Sequence, residues 1–326
     1  MVRRVVLVTG ATGFIGRHLV PRLQAENAVV RVVTRTPDRL PAEWRHLVEV
    51  VEGDLFQPSV QVAATKGIEL IYHLAAEIRD HSRMHAINVE AVLGLMDSAV
   101  RAGVKRIVHV SSVAVIGAVR SGIVTEAEPC RPQNQYERTK LEGEEVVRGY
   151  AQSGRIEAVI LRPTNVFGER RDEERDGFLG WLRAVKQRRF VFFGRKSIAN
   201  YIYVGDVVEA LVRLSNHPVE KVAVYTATDP VPMADFVESM ARALDVPTPT
   251  RYLPRWTGYV LGAICDGVQL ALRVPMPLTL TQVRALSSRT EFCGRSLLKD
   301  LSLTFPFGCR KGLELTVQGY RWRGRL

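Results

Sequence analysis

The chain has 326 residues, 46% of them hydrophobic and 24% charged, which excludes disorder, a collagen-like repeat and a disulfide scaffold and fits one large or two interlocked globular units. Its 45 Lys and Arg against 34 Asp and Glu leave a formal charge of +11, favouring an anionic ligand, a phosphate-bearing cofactor or an acidic surface. Cys130, Cys265, Cys293 and Cys309 form no CxxC pair and have no histidine at ligand spacing, so no metal and no disulfide framework is expected, and a reducing, cytoplasmic setting is the default.

The first apolar run, 5–9, enters a glycine-rich turn and is too short for a signal peptide. Strand-length apolar runs follow at 29–34, 48–51, 70–74, 106–110 and 157–161, with helical spacing at 14–24, 84–102 and 135–152. Strands apolar on both faces, alternating with helices, predict an α/β fold with a doubly wound parallel sheet. After Gly168 the character changes: 169–176 is densely charged, and later elements interleave Pro, Arg and aromatic residues. A strand at 201–204, a helix at 206–215 and a strand at 223–227 are expected to return to the sheet. The apolar stretch 256–272 contains Asp266 and Gln269 and stops at Arg273, so it is read as a buried or partner-facing helix. No transmembrane segment is expected, and peripheral membrane contact is left open.

Gly10-Ala11-Thr12-Gly13-Phe14-Ile15-Gly16 lies between a strand and a helix, the context that gives such a pattern meaning. Gly10 suits the tight turn, Gly13 lets backbone N–H groups approach a pyrophosphate at the helix N-terminus, and Gly16 permits close helix–sheet packing. The GxxGxxG order, in TGATGFIG, resembles the short-chain dehydrogenase/reductase superfamily, and the chain is similar to its extended branch of epimerase/dehydratase-like proteins over the N-terminal two-thirds. That resemblance implies a Rossmann-type domain of residues 1–168 plus 201–228 and a smaller C-terminal substrate-binding lobe of 169–200 plus 229–326. It implies cofactor contacts from Gly10, Thr12, Gly13, Phe14, Ile15 and Gly16.

At the end of the second strand an acid would read a ribose hydroxyl, whereas an Arg accommodates a 2′-phosphate. Val32-Val33-Thr34-Arg35-Thr36-Pro37 has no acid before Asp38, so Arg35 favours NADP(H) while leaving NAD(H) open. Thr34 and Thr36 are candidate hydroxyl donors, and Arg17 a candidate to share the role. Gly53-Asp54-Leu55 resembles the family's adenine-contacting segment, and Leu74-Ala75-Ala76 its strand-end segment against which the cofactor lies. Asn88 resembles an asparagine that holds strand geometry.

Tyr136 and Lys140 are four apart on an expected helix and so share a face. A neighbouring ammonium and an oxidised nicotinamide would both lower the phenol pKa from near 10 toward working pH, equipping Tyr136 to exchange a proton with an alcohol or ketone. Val110-Ser111-Ser112-Val113 resembles the family's strand-five segment, which makes Ser112 the expected catalytic serine that orients the substrate oxygen, with Ser111 as its neighbour and an offset of one residue open. Ser112, Tyr136 and Lys140 are thus the catalytic candidates, with Tyr136 and Lys140 also contacting the cofactor. In Arg162-Pro163-Thr164-Asn165-Val166-Phe167-Gly168, the residues Pro163, Asn165 and Val166 are expected at the nicotinamide end, and Asn165 matches an asparagine that contacts a sugar-nucleotide diphosphate.

Asn200-Tyr201-Ile202-Tyr203-Val204-Gly205-Asp206 has Ala199 where sugar-nucleotide members carry an Arg, and its wording is nearer to the 3β-hydroxysteroid dehydrogenase-like branch, as is the apolar texture of 253–277. The basic run Arg183, Lys186, Arg188, Arg189, Arg195 and Lys196 is read as a solvated face or an anion-attracting rim. No nucleic-acid motif accompanies it. His73, His81, His85 and His109 read as ordinary loop or core residues. The expected activity is hydride transfer between NADP(H) and a secondary alcohol or ketone, sterol-like or another small carbonyl compound. A nucleotide-sugar epimerase or dehydratase with tightly held cofactor is the alternative, and a non-catalytic cofactor-binding subunit is a further one. A small-molecule substrate is the expected partner, and a homodimer through the long helices is open.

Overall fold

The computed structural model describes residues 4–44, 46–119, 122–170, 176–272 and 278–326. Residues 171–175 of the charged stretch and 273–277 at the end of the apolar one lie outside them. The chain runs β1 (Val5–Thr9), α1 (Phe14–Ala25), β2 (Val29–Thr34), β3 (Val48–Glu52), α2 (Pro58–Thr65), β4 (Leu70–His73), α3 (Ala91–Arg101), β5 (Arg106–Val110), α4 (Gln135–Gln152), β6 (Glu157–Pro163), α5 (Val204–Leu214) and β7 (Val222–Ala227). These seven strands form one parallel sheet in the order β7-β6-β5-β4-β1-β2-β3. The order reverses between β1 and β4, and such a switch point opens a crevice at the carboxyl ends of the strands.

The alternation along β1 shows why helices cover both faces. Val6 and Val8 join Leu19, Val20, Leu23, Val207 and Leu211 from α1 and α5, while Leu7 points the other way, into Val92, Leu95, Met96 and Val147 from α3 and α4. Each such fully buried aliphatic side chain contributes about 1.5–3 kcal/mol.

A second core lies between the helices Gly177–Lys186, Met233–Leu244 and Gly308–Trp322, built on Leu182, Phe236, Met240, Leu313 and Tyr320. Its aromatic centre stacks Tyr201 on Phe236 with ring centroids 4.8 Å apart. Asp206 in α5 ties this core to the sheet: its Oδ1 accepts from the Phe307 N–H at 3.1 Å and its Oδ2 from the Gly308 N–H at 2.9 Å. Asp229 accepts from the Cys309 N–H at 2.7 Å. Two carboxylates from elsewhere in the chain thus satisfy the start of the last helix, whose own cap residue, Phe307, makes no side-chain hydrogen bond. Burial pushes Asp206 up to about 6 against those two backbone donors.

Two sequence expectations need correction and a third is narrowed. Residues Tyr201–Tyr203 do not return to the main sheet but pair with Asn165–Phe167 in a separate two-stranded ribbon, so that β7 alone extends the sheet beyond β6. The helix expected over 84–102 begins at His81 and contains a π-helical turn at Ala86–Glu90. Within it Asn88 accepts from the Glu77 N–H at 2.8 Å and donates to Glu77 O and Thr139 Oγ1, bonds that reward the extra residue in the turn. The apolar helix Arg255–Leu272, read as buried or partner-facing, is not buried: Trp256, Val260, Leu261, Ile264 and Leu272 are all exposed, which leaves the partner-facing alternative. Within the described residues no helix is long and apolar enough to cross a membrane.

Candidate active site

The glycine turn follows β1 with the backbone that its residues require. Gly10 has φ 68°, and a Cβ there would stand 2.7 Å from Ala75 N. A Cβ on Gly16 would stand 2.6 Å from Ala11 Cα, so α1 sits closer to the turn than any side chain allows. Gly13 caps α1 without a side-chain bond and the first turn carries no acid, leaving an uncapped, positively polarised helix end as an anion cradle. These features fit a dinucleotide pyrophosphate, with Thr12, Phe14 and Ile15 on the same turn. Arg17 donates to Thr12 O at 2.9 Å and to Arg39 O at 3.0 Å, bracing the cradle against the segment after β2. The Arg170 guanidinium lies over the Phe14 ring, 4.2 Å from its centroid.

At the adenosine end, Arg35 is largely exposed and pairs with Asp54 at 3.5 Å. Asp54 is also paired with Arg83 at 3.3 Å, a partner that sequence reasoning missed because nothing local links positions 54 and 83. Thr34 is not a free hydroxyl donor. It is buried, and its Oγ1 donates to Thr36 O at 3.3 Å within the turn. Leu55 is buried among the α2 and α3 side chains.

The parallel register gathers the remaining candidates along one edge, since Thr9, His73, His109 and Ile160 are successive neighbours across β1, β4, β5 and β6. Leu74, Ala75 and Ala76 follow β4 there. Thr9 Oγ1 accepts from the N–H groups of Leu74 and Ala75 at 3.2 and 3.3 Å, which fixes that segment against Gly10. Pro163 ends β6, and Val166 packs on the sheet's core. Asn165 is exposed beside them, its amide donating to Asn200 O at 3.1 Å. Ala199 is buried in a strand pair with Val231–Pro232, so no cation stands at that position.

Of the two serines after β5, Ser112 is the one whose hydroxyl lies close enough to Tyr136 to favour its phenolate. Its Oγ also accepts from the Ala114 N–H at 3.1 Å, capping the turn Val113–Ile116. Ser111 is buried with its hydroxyl unpaired among the described residues. Lys140 lies on the same face of α4 as Tyr136, is 3% exposed, and donates from Nζ to Val110 O at 2.8 Å. Burial pulls its pKa down to about 8 against the Glu144 carboxylate, which favours the cation. Burial also raises the Tyr136 phenol above its usual value, opposed by the nearby Ser112 hydroxyl. This differs from the expectation that Lys140 lowers it: in the protein alone desolvation of the phenolate dominates, and the ammonium is turned to a backbone carbonyl.

Beneath Lys140, His73 and His109 stack with ring centroids 5.2 Å apart. Both are fully buried, and desolvation with the nearby Lys140 charge lowers both pKa values, that of His73 to about 3. They are neutral core residues, as the sequence suggested, under the one buried lysine of the site. His81 and His85 lie at exposed positions, where His81 pairs with Gln135 and His85 with Glu90. Glu144 is held by Arg162 at 2.6 Å with both side chains buried, which locks α4 to β6. Among the described residues no cluster of ligands could hold a metal ion, and the four cysteines are free.

Residues 6–226 match the NAD dependent epimerase/dehydratase family. The chain belongs to that family, and it is an enzyme of the extended short-chain dehydrogenase/reductase type. It is 26% identical over 325 residues to an N-acetyl-alpha-D-glucosaminyl-diphospho-ditrans,octacis-undecaprenol 4-epimerase of Escherichia coli O157:H7, covering 96% of this chain and 94% of that protein. It is 25% identical over 350 residues to 3beta-hydroxysteroid-dehydrogenase/decarboxylase isoform 2 of Arabidopsis thaliana, covering 96% of this chain but only 61% of that protein. Among solved structures, MoeE5 in complex with UDP-glucuronic acid and NAD superposes with a TM-score of 0.74 at 26% identity, covering 98% of this chain and 99% of that one.

Proposed function

We propose that the protein is an NADP(H)-dependent oxidoreductase acting on a secondary alcohol or ketone, with Tyr136 as proton donor and acceptor, Ser112 orienting the reacting oxygen and Lys140 holding the cofactor ribose. The observation that carries this reading is the meeting of Ser112 with Tyr136 one helical turn from the buried Lys140, at the sheet edge that also presents the glycine turn. NADP(H), bound along that edge, supplies or accepts the hydride. In reduction, the Tyr136 hydroxyl passes its proton to the developing alkoxide. The raised pKa of the phenol keeps it protonated and ready to donate at neutral pH. Ser112 shares a hydrogen bond with the same oxygen and sets its distance from Tyr136. Arg35, exposed at the end of β2 and beside Arg83, supports a 2′-phosphate, because two guanidinium groups around one carboxylate leave cationic donors in excess.

The buried Ala199, where a diphosphate-binding cation would stand, favours a substrate without a nucleotide diphosphate, such as a sterol-like alcohol. The relative named as a 4-epimerase of a polyprenyl-diphosphate sugar and the solved neighbour in complex with a UDP-sugar and NAD support a second reading, an epimerase with retained cofactor. The two separate by the redox balance. The purified enzyme is incubated with NADP+ and 3β-hydroxysterols, and in parallel with UDP-glucose or UDP-glucuronic acid. Net formation of NADPH and ketone supports the oxidoreductase, whereas an epimeric sugar with no net change in nicotinamide refutes it.

A further inference from the structure

The helix Arg255–Leu272 has its patterning reversed. The face that packs on the protein is lined by glycine: a Cβ on Gly258 would stand 2.7 Å from the Phe193 ring, and one on Gly262 would stand 3.1 Å from Leu280 N. The opposite face carries Trp256, Val260 and Ile264 at four-residue spacing with Leu261 beside them, exposed by 67%, 49%, 57% and 44%. Ala263 and Gly267 fill the gaps on that face, so it holds no charged side chain. Soluble surfaces scatter such residues singly, and a continuous row marks a contact.

What surrounds the row identifies the partner. The short strands Phe192–Phe193 and Tyr252–Leu253 pair and bring two basic segments to the N-terminal end of this helix. One carries Arg188, Arg189, Arg195 and Lys196, the other Arg251 and Arg255, and Arg195 lies over the Tyr252 ring at 4.9 Å. Neither 186–200 nor 247–265 contains an acidic residue. Cations at a helix N-terminus oppose its dipole, so their placement there is explained by an anion that both attract. A second copy of the chain would set the same basic rim against itself across a two-fold axis. An aliphatic face with a tryptophan at its edge and a cationic border is the pattern of an interfacial helix.

We propose that the row Trp256, Val260, Leu261 and Ile264, bordered by the basic strand pair, docks the substrate lobe on the surface of an anionic lipid bilayer. The helix lies in the headgroup layer without crossing it, and phosphate groups neutralise the rim. The proposal does not depend on which reaction the active site performs.

The test is co-sedimentation of the full-length protein with phosphatidylcholine vesicles, with and without phosphatidylglycerol, alongside quenching of tryptophan emission by brominated phosphatidylcholine in the same vesicles. The expected result is binding to the phosphatidylglycerol vesicles that high salt reverses, with quenching in the wild-type protein. Ile264→Asp, at an exposed position, is expected to weaken binding at least tenfold with an unchanged circular dichroism spectrum. The double variant Arg195→Glu/Lys196→Glu does so too, at about fivefold or more per charge. Failure of the wild type to sediment with either vesicle overturns the proposal. So does equal binding to both vesicles by wild type and variants, or a wild-type dimer that Ile264→Asp converts to a monomer, which would assign the face to a second copy.

Discussion

Lys140 donates from Nζ to the carbonyl of Val110 at 2.8 Å, so the one buried lysine of the site is anchored to the end of β5 immediately before the two serines. Its pKa of about 8 lies below the value near 10.4 of a free lysine. In that window the folded protein binds fewer protons than the unfolded chain, so stability rises with pH as the desolvated cation is relieved. Urea denaturation at pH 7 and at pH 9.5 checks this, with Lys140→Met as the reference that cannot titrate. The wild type should gain about 2 kcal/mol on the variant across that interval, from the linkage slope of about 1.4 kcal/mol per pH unit. A flat difference would mean that Lys140 titrates as if in water.

Removing the Tyr136 hydroxyl deletes the proton path while leaving the packing of α4 in place. Tyr136→Phe should lower kcat by about 10²–10⁴-fold, with cofactor Kd within a few-fold of wild type. Ser112→Ala should lower kcat in the same direction, while Ser111→Ala, whose hydroxyl has no partner among the described residues, should have a small effect. The comparison of the two serine variants in steady-state assays separates them, and a larger effect at Ser111 would reverse the assignment.

Gly16→Ala places a Cβ 2.6 Å from Ala11 Cα, a backbone atom that cannot swing aside. Overpacking of this kind costs about 1–3 kcal/mol, and it shifts α1 away from the loop that must approach a phosphate. The expected outcome is a folded protein with a lowered Tm and nicotinamide binding too weak to saturate, read by calorimetry and fluorescence.

Asp206→Ala strips two bonds from the start of the last helix. By analogy with lost N-caps, the cost is about 1–2 kcal/mol, visible as a lower denaturation midpoint. Because the folded pKa of Asp206, about 6, is raised above the ordinary carboxylate value, the folded state binds the extra proton between roughly pH 4 and 6. The wild type should therefore gain on Asp206→Asn as pH falls through that range.

The doubly wound sheet was legible because β1, β2 and β5 announce themselves as runs of Val, Leu and Ile whose only polar residues between their ends are Arg31 and His109, and α4 matched its expected limits, 135–152. The glycine turn and the Tyr136–Lys140 spacing were equally plain, since both depend on residues close in sequence. What stayed hidden depends on long-range pairing. Arg83 reaches Asp54 only through the fold, and the Tyr201–Tyr203 strand pairs with Asn165–Phe167, just past the end of β6, while the place beside β6 in the sheet is taken by β7. The helix of Ile264 stayed open between a buried and a partner-facing reading for another reason: apolar composition fits both, and only the packing of the glycines on its opposite face says which side is covered.

The most direct test of the proposed site is a titration of tryptophan fluorescence with NADPH and with NADH, on wild type and on Arg35→Ser. A single charge-assisted contact to a 2′-phosphate is worth roughly 1.5–3 kcal/mol, or about ten- to a hundredfold in affinity. The wild type should prefer NADPH by that factor, and Arg35→Ser should lose the preference through weaker NADPH binding alone. Equal or tighter binding of NADH by the wild type, with nicotinamide retained through purification, would contradict the account and bring the epimerase reading forward.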